Sequence, residues 1–418
     1  MKLKTIRLVV ISSIITLASL AEETRFFDLS KKIIYSEKTG YGYDFNTKPQ
    51  SGNNNNPAYF SIKAEDGNYK VTFEVGSNEF EGDTTIRAES RRLLLHNIVT
   101  KKGETKVFTF VVHKRSPKIS NGNTVRLKER ELKYLNWDEK LTFEFNGNAP
   151  AVKSLKVEKD TNAVTLFLCG DSTVVDQEGE PWASWGQMIP RWFNENICIA
   201  NYAESGETTT SFMAEKRLDK VLSMIKKGDY VFIEFGHNDE KDKGGNAGAF
   251  LNYAQNLRTY INKVKMKGAN PIILSPTARR SFSNGKAKNT HGDYPKAARQ
   301  VAENEGVPFI DITQMTTYML EAYGDNDSKK FYVYYPAGSY SQTALKDDTH
   351  FNPFGAFEIA KCVIMGLKQI NSKIVGHLLN DWKDFDPKHP DNWQDFVWVP
   401  SPSIDSIKPD GKLITSSK

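Results

Sequence analysis

Val164-Thr165-Leu166-Phe167-Leu168-Cys169-Gly170-Asp171-Ser172-Thr173-Val174 is the stretch on which the fold turns. A near-continuous apolar run ends abruptly in a glycine and a polar group, the pattern of a short strand buried on both faces. Comparable runs recur at 197–202, 230–235, 271–274 and 309–312. Stretches with helical periodicity lie between them, such as 212–226, 249–267 and 294–305. Apolar strands alternating with helices predict a parallel sheet covered on both sides, a three-layer α/β/α unit over 159–385. Sheets of this class carry their chemistry just beyond the carboxyl ends of the strands.

Upstream, from about 24 to 155, the period changes to two. Tyr69, Val71, Phe73 and Val75 alternate with Lys70, Thr72 and Glu74, and Leu141, Phe143 and Phe145 alternate around Thr142 and Glu144. Turn signals at Asp66-Gly67-Asn68, Lys102-Gly103 and Asn146-Gly147-Asn148 separate such segments. Short strands with one buried and one wet face predict a β-sandwich over 22–158, with a loop at 51–57. Further out, Lys2, Lys4 and Arg7 precede an apolar run at 8–17, and Ser19 and Ala21 are small residues before Glu22. That is the pattern of a secretory signal peptide over 1–21, so a periplasmic or extracellular protein is expected. The apolar run is shorter than the ~20 residues of a membrane span, and no membrane partner is expected. From 386 to 418 the chain is rich in Pro, Asp and Trp, which predicts an extended tail packed by its tryptophans.

Of the 418 residues 39% are hydrophobic and 26% charged, as in ordinary globular protein, and the length predicts two domains. The formal charge of +5 becomes +2 without the three leader cations, and no basic block interleaved with aromatics stands out. Nucleic acid is therefore not an expected partner. Cys169, Cys198 and Cys362 are odd in number and lie in apolar contexts, so buried free thiols are expected, with a Cys169–Cys198 bridge left open. No spacing suggests a metal site.

Polar clusters follow three of the predicted strands. Gly170-Asp171-Ser172 places a serine after a tight turn, where it can act as a nucleophile if a base is near. Gly206, in Asn201-Tyr202-Ala203-Glu204-Ser205-Gly206, can turn its backbone N–H to an oxyanion, and Asn238, in Gly236-His237-Asn238-Asp239, can add a side-chain N–H. A fourth cluster, Asp347-Asp348-Thr349-His350, lies in a predicted loop before a helix that starts at Pro353. His350 can take and return the serine proton, Asp347 can orient its ring, and Asp348 is expected to face solvent. Each cluster alone also suits a plain turn; all four in one unit supply nucleophile, base, orienting acid and oxyanion donors.

With these four blocks the chain resembles the SGNH (GDSL-type) hydrolase superfamily, and within it the rhamnogalacturonan acetylesterases. The blocks are GDSTV from Gly170, NYAESG to Gly206, GHND from Gly236 and DDTH to His350. The resemblance covers about 164–370 and implies a flavodoxin-like sheet of order 2-1-3-4-5. It implies a Ser172–His350–Asp347 triad, an oxyanion hole of Ser172, Gly206 and Asn238, and no metal or organic cofactor. The upstream β region resembles the galactose-binding-like sandwich attached to some bacterial members, a departure from the compact single-domain fungal enzymes.

An acetylated polysaccharide or oligosaccharide, with rhamnogalacturonan first, is the implied substrate. Arg279, with Arg280, Lys286 and Lys288 nearby, is placed to meet a sugar carboxylate, and His291 and Trp182 are placed to line the sugar site. Another acetylated glycan such as xylan, or a lipid ester, is the competing enzymatic substrate. A carbohydrate-binding protein with a degenerate hydrolase unit is the competing class. The sequence leaves the oligomeric state open.

Overall fold

The computed structural model describes residues 24–49 and 55–402. The leader expected over 1–21, most of the loop at 51–57 and the tail beyond 402 lie outside the described residues.

The first part of the chain supplies β1 (Arg25–Asp28), β2 (Tyr41–Asp44), β3 (Ala58–Lys63), β4 (Gly67–Val75), β5 (Gly82–Ala88), β6 (Arg92–Thr100), β7 (Lys106–Lys114), β8 (Lys140–Ala149) and β9 (Val152–Asp160). The second part runs through β10 (Val164–Gly170), α1 (Trp185–Met188), β11 (Ile197–Asn201), α2 (Thr209–Ala214), α3 (Arg217–Met224), β12 (Tyr230–Glu234), α4 (Ala254–Met266) and β13 (Asn270–Leu274). It continues with the short pair β14 (Phe282–Ser283) and β15 (Lys286–Ala287), then α5 (Tyr294–Glu305), β16 (Phe309–Ile310), α6 (Ile312–Asp327), β17 (Tyr332–Tyr335), β18 (Leu345–Phe351) and α7 (Pro353–Gln369).

Strands β11-β10-β12-β13-β16 stand side by side and parallel, the expected 2-1-3-4-5 order. Leu166 and Leu168 join a core built with α1, α6 and α7, whereas Phe167 and Cys169 join the opposite core with α3, α4 and α5. Successive strand residues point to opposite faces, so apolar side chains at every position mean two covered faces and three layers. The helical stretch expected at 212–226 is broken where Lys216 takes a left-handed φ of 61°, which separates α2 from α3. The stretch expected at 249–267 opens with a π-helical turn at Ala249–Tyr253 before α4 begins.

The sheet does not stop at β11. β7 pairs with it in parallel through Cys198↔Val111 and Ile199↔Val112, and β4, β9 and β1 follow antiparallel, making a nine-stranded sheet. A second, five-stranded antiparallel sheet, β2-β3-β8-β5-β6, shares an apolar core with this extension. Phe60, Ile86 and Phe143 come from one sheet and Val71, Phe73, Phe110 and Leu155 from the other, with Phe73 and Phe143 edge to face at 5.4 Å. From sequence these strands were expected to form a self-contained β-sandwich; instead one of the two layers is the end of the central sheet. Val111 and Val112 are both buried, as a strand seated next to β11 requires.

The outer face of β8 is also not wet, since Thr142 and Glu144 are buried. The chain near 400 returns over it: Arg87 donates to Glu144 Oε1 at 2.7 Å, to Ser401 Oγ at 2.9 Å and to the Val399 carbonyl, and its guanidinium lies 4.3 Å from the centre of the Trp398 ring. The three cysteines are buried free thiols, so the Cys169–Cys198 bridge is not formed. No helix among the described residues is long and apolar enough to cross a membrane.

The core beneath the sheet's carboxyl edge holds buried acids. Glu234, at the end of β12, accepts from Trp185 Nε1 at 2.7 Å and Thr173 Oγ1 at 3.1 Å. Burial, reinforced by Asp171, pushes its carboxyl up to about 8. Burial likewise raises Asp239 to about 6 and raises Glu89. The folded protein therefore holds protons that the unfolded chain gives up near pH ~4. The stability this contributes is complete below that range and is lost as pH rises through about 6 to 8. Below about pH 6.5 the buried neutral rings of His96, His113 and His237 act in the opposite sense, so the melting temperature is expected to fall between about pH 7 and about pH 8. Glu234→Gln keeps an acceptor for Trp185 Nε1 and turns an N–H to Thr173 Oγ1, whose hydroxyl still donates to Asp171, and is expected to flatten that fall; an identical fall in the variant would contradict the assignment.

Candidate active site

At Gly170 a Cβ would lie 2.5 Å from Val174 Cγ2 and 2.9 Å from the Glu234 carbonyl, so glycine is required for the chain to turn at the end of β10. Asp171 then fixes the turn. Its carbonyl accepts from the N–H of Val174 and Val175, and its Oδ1 from both N–H and hydroxyl of Thr173 at 3.0 Å. The Ser172 carbonyl accepts from Ser184 Oγ at 2.6 Å and Gln177 Nε2 at 2.9 Å. Ser172 is thus held at the carboxyl end of a central strand, 7% exposed.

His350 was expected in a loop but lies on β18, which pairs antiparallel with β17. Asp347 Oδ1 accepts the N–H of Thr349 at 2.8 Å and of His350 at 2.9 Å, folding the acid back along its own strand. Its Oδ2 lies 2.7 Å from His350 Nδ1, and His350 Nε2 lies 2.9 Å from Ser172 Oγ. A carboxylate only accepts, so Nδ1 carries the proton and Nε2 of a neutral ring accepts from the serine hydroxyl. Burial opposes the charge on Asp347, but the hydrogen bond and charge of His350 and the two N–H groups outweigh it and hold the carboxyl near 2. The neighbouring Asp348, expected in solvent, is half exposed; it pairs with Arg280 at 2.8 Å and accepts from Tyr334 Oη at 2.6 Å.

The expected oxyanion donors lie on the two adjacent loops. Gly206 has a φ of +81°, which favours glycine. Neither its N–H nor that of Ser172 is hydrogen-bonded among the described residues. Asn238 Nδ2 donates to the Glu207 carbonyl at 3.1 Å and its Oδ1 accepts from Lys241 at 2.9 Å, which sets the direction of the amide and leaves its second N–H. The three loops are tied together, with Glu204 N–H on the Gly170 carbonyl at 3.2 Å and His237 Nδ1 3.6 Å from Asp171 Oδ2. Burial pulls His237 down to about 4, so it is a neutral prop for the loop and not a proton carrier at neutral pH.

Two of the three expected sugar contacts are corrected. His291 is 2% exposed, with Nδ1 2.9 Å from Glu240 and Nε2 2.8 Å from the Thr277 carbonyl, its ring 4.6 Å from that of His237. Burial behind the oxyanion loop removes it from any sugar. Arg279 is paired with Glu240 and donates to the His237 carbonyl at 3.0 Å, so its charge is already matched. Arg280 is likewise matched by Asp325 and Asp348. Trp182 is half-buried beside the catalytic strand, since the next residue, Ala183, donates its N–H to the Phe351 carbonyl at 2.9 Å.

The upstream sheets contribute residues that went unread in the sequence. Lys128 and Arg130 both donate to the Ser205 carbonyl, one residue before Gly206. Lys128 also meets Glu207 at 2.5 Å, and Arg130 meets Glu204 at 2.6 Å. On the other side Arg91 donates to the carbonyls of Gln177 and Trp182 and pairs with Glu180, while buried Arg92 pairs with Asp176 at 2.9 Å. The signal available was the dense charge of 126–133 and the Arg91-Arg92 pair, placed in a region whose strands alternate polar and apolar residues. Among the described residues no group of three or more His, Cys, Asp or Glu is placed to hold a metal ion.

Known proteins resemble the part of the chain that carries this geometry. The rhamnogalacturonan acetylesterase RhgT of Bacillus subtilis (strain 168) is 35% identical over 222 residues, 52% of this chain and 95% of the relative. The probable rhamnogalacturonan acetylesterase YesY of the same organism is 31% identical over 219 residues, 52% of this chain and 98% of the relative. The uncharacterized esterase YxiM, also of that organism, is 24% identical over 316 residues, 74% of each chain. The model of the GDSL-like Lipase/Acylhydrolase family matches residues 168–356, which span Ser172, Gly206, Asn238, Asp347 and His350. With a relative matched over nearly its whole length and the family's own model lying across these residues, the chain belongs to the GDSL-like lipase/acylhydrolase (SGNH) family.

Proposed function

We propose that the protein is an exported serine esterase that removes O-acetyl groups from a plant cell-wall polysaccharide, rhamnogalacturonan first. The observation that carries this proposal is the run of hydrogen bonds from Asp347 through His350 to Ser172 Oγ. Ser172 Oγ attacks the acetyl carbonyl as His350 Nε2 takes its proton, and the Asp347 carboxylate stabilises the charged ring. The carbonyl electron pair moves onto oxygen, where the N–H groups of Ser172 and Gly206 and the Asn238 amide receive it. Collapse breaks the bond to the sugar oxygen, which leaves with the proton from His350. Water, deprotonated by the same imidazole, then releases acetate and restores the serine hydroxyl.

The acetylated-glycan substrate is supported by the two relatives at 35% and 31% identity, both named as rhamnogalacturonan acetylesterases. Arg279 and Arg280 are not offered as carboxylate contacts, because Glu240, Asp325 and Asp348 already neutralise them.

Lys128 and Arg130 are positioning residues in this scheme. Two cations on the Ser205 carbonyl fix the peptide that precedes Gly206, and an oxyanion donor acts only if it is already aimed when charge develops.

Acetate release from acetylated rhamnogalacturonan should be lost in Ser172→Ala without loss of the folded state, and should exceed release from acetylxylan or long-chain esters. Undiminished turnover in the variant would remove the mechanism, and a preference for acetylxylan would replace the substrate. Lys128→Met should lower kcat about tenfold, ~1.4 kcal/mol of transition-state stabilisation, at unchanged KM, with some loss of melting temperature because buried Glu207 loses this partner. A change confined to KM would show that Lys128 binds substrate instead.

A further inference from the structure

A cavity of about 560 Å³ opens between the α6–β17 connection and the returning C-terminal segment. Its volume lies within the ~300–1,000 Å³ range of small-molecule sites. Lys329 and Lys330 line it from the connection, Tyr334 and Tyr335 from β17, and Trp393 and Trp398 from the returning segment.

The chemistry of this lining is specific. Trp393 keeps 39% of its surface exposed, and Lys330 Nζ stands 4.0 Å from the centre of its ring. Among the described residues Lys329 and Lys330 meet an amide oxygen and aromatic rings and form no ion pair. Lys329 donates to the side-chain oxygen of Asn326 at 3.3 Å and lies 6.0 Å from the centre of the Tyr334 ring. Asp327 at the rim accepts from Asn326 Nδ2 at 3.0 Å. The exposed ring of Trp393 beside two lysines, with Asp327 the one carboxylate among the described lining residues, leaves an excess of positive charge and suits a ligand that is itself flat, C–H-rich on its faces and anionic. Aromatic side chains stack on apolar faces, and an ammonium pairs with a carboxylate through charge-assisted hydrogen bonds. A pyranose bearing a carboxylate, a uronate, meets both conditions; a neutral sugar would leave the cations unmatched, and a small inorganic anion would leave the rings uncovered.

The position ties the cavity to the catalytic cluster. β17, which supplies its tyrosines, is the ladder partner of β18, which carries Asp347 and His350. Asn352, two residues after His350, lines the cavity as well. The cavity and the Asp347–His350 pair are thus carried on two paired strands.

We propose that the cavity is a uronate subsite, holding an acidic residue of the polysaccharide while Ser172 works on an acetyl group elsewhere along the chain. This rests on the esterase assignment above. The test is calorimetric titration of the full chain carrying Ser172→Ala with unacetylated oligogalacturonate, and with a neutral xylo-oligosaccharide of equal length. Oligogalacturonate should bind, more weakly as salt rises, and at least tenfold more tightly than the neutral oligomer. Adding Trp393→Ala or Lys330→Gln should weaken binding at least tenfold at unchanged melting temperature. Absence of uronate binding, equal binding of the neutral oligomer, or full binding by both variants would each overturn the subsite. Hydrolysis of a small acetyl ester by the unsubstituted protein reports on Ser172 separately. Its absence with uronate binding intact would remove the esterase assignment and leave the subsite standing.

Discussion

Ser172 Oγ and His350 Nε2 lie 2.9 Å apart although 178 residues separate them in the chain. Ser172 is fixed at the end of β10, in the middle of the central sheet, while the imidazole comes from β18, which lies outside that sheet. Their register cannot come from sheet pairing alone. It comes from a direct tie, since Ala183, in the loop that follows the nucleophile, donates its N–H to the carbonyl of Phe351, the residue after His350. Asp347 completes the constraint by holding both the ring and the backbone of His350.

The upstream sheets take part in this arrangement. Arg91 and Arg92 hold 176–182, the loop beyond Ser172, and Lys128 and Arg130 hold the peptide before Gly206. Burying Arg92 against Asp176 carries a desolvation cost of several kcal/mol per ion that their attraction only offsets. The return on that cost is geometric: each cation binds a particular carbonyl or carboxylate of a catalytic loop. Joining the two parts through β7 makes this possible, because a continuous sheet fixes the distance between the upstream strands and the carboxyl edge where the loops emerge.

Much of this was legible in the sequence because burial on both faces leaves an unmistakable trace. The covered faces and the polar clusters at strand ends follow from apolar runs that stop at glycine and a polar residue, whereas the strand order was implied only by the family resemblance. His350 was legible as a residue type at a spacing from Asp347, but its strand was not. Leu345–Phe351 reads as polar because its ladder partner is β17, outside the central sheet and its covered faces. Membership of β7 in the central sheet was hidden in two adjacent valines. The positions of His291 and Arg279 were hidden too, because a basic loop looks the same whether its charges face a ligand or, as here, Glu240 of a neighbouring loop. Charge pairing across distant segments has no period, and a single sequence carries no mark of it.

The central claim is that the imidazole of His350 activates the hydroxyl of Ser172. A serine-directed phosphonate tests it directly, with the labelled residue located by peptide mass spectrometry. The account predicts one phosphonyl group per chain, attached at Ser172, and strongly slowed labelling in His350→Asn. A label on another residue, or labelling of Ser172 at an unchanged rate without the imidazole, would contradict it.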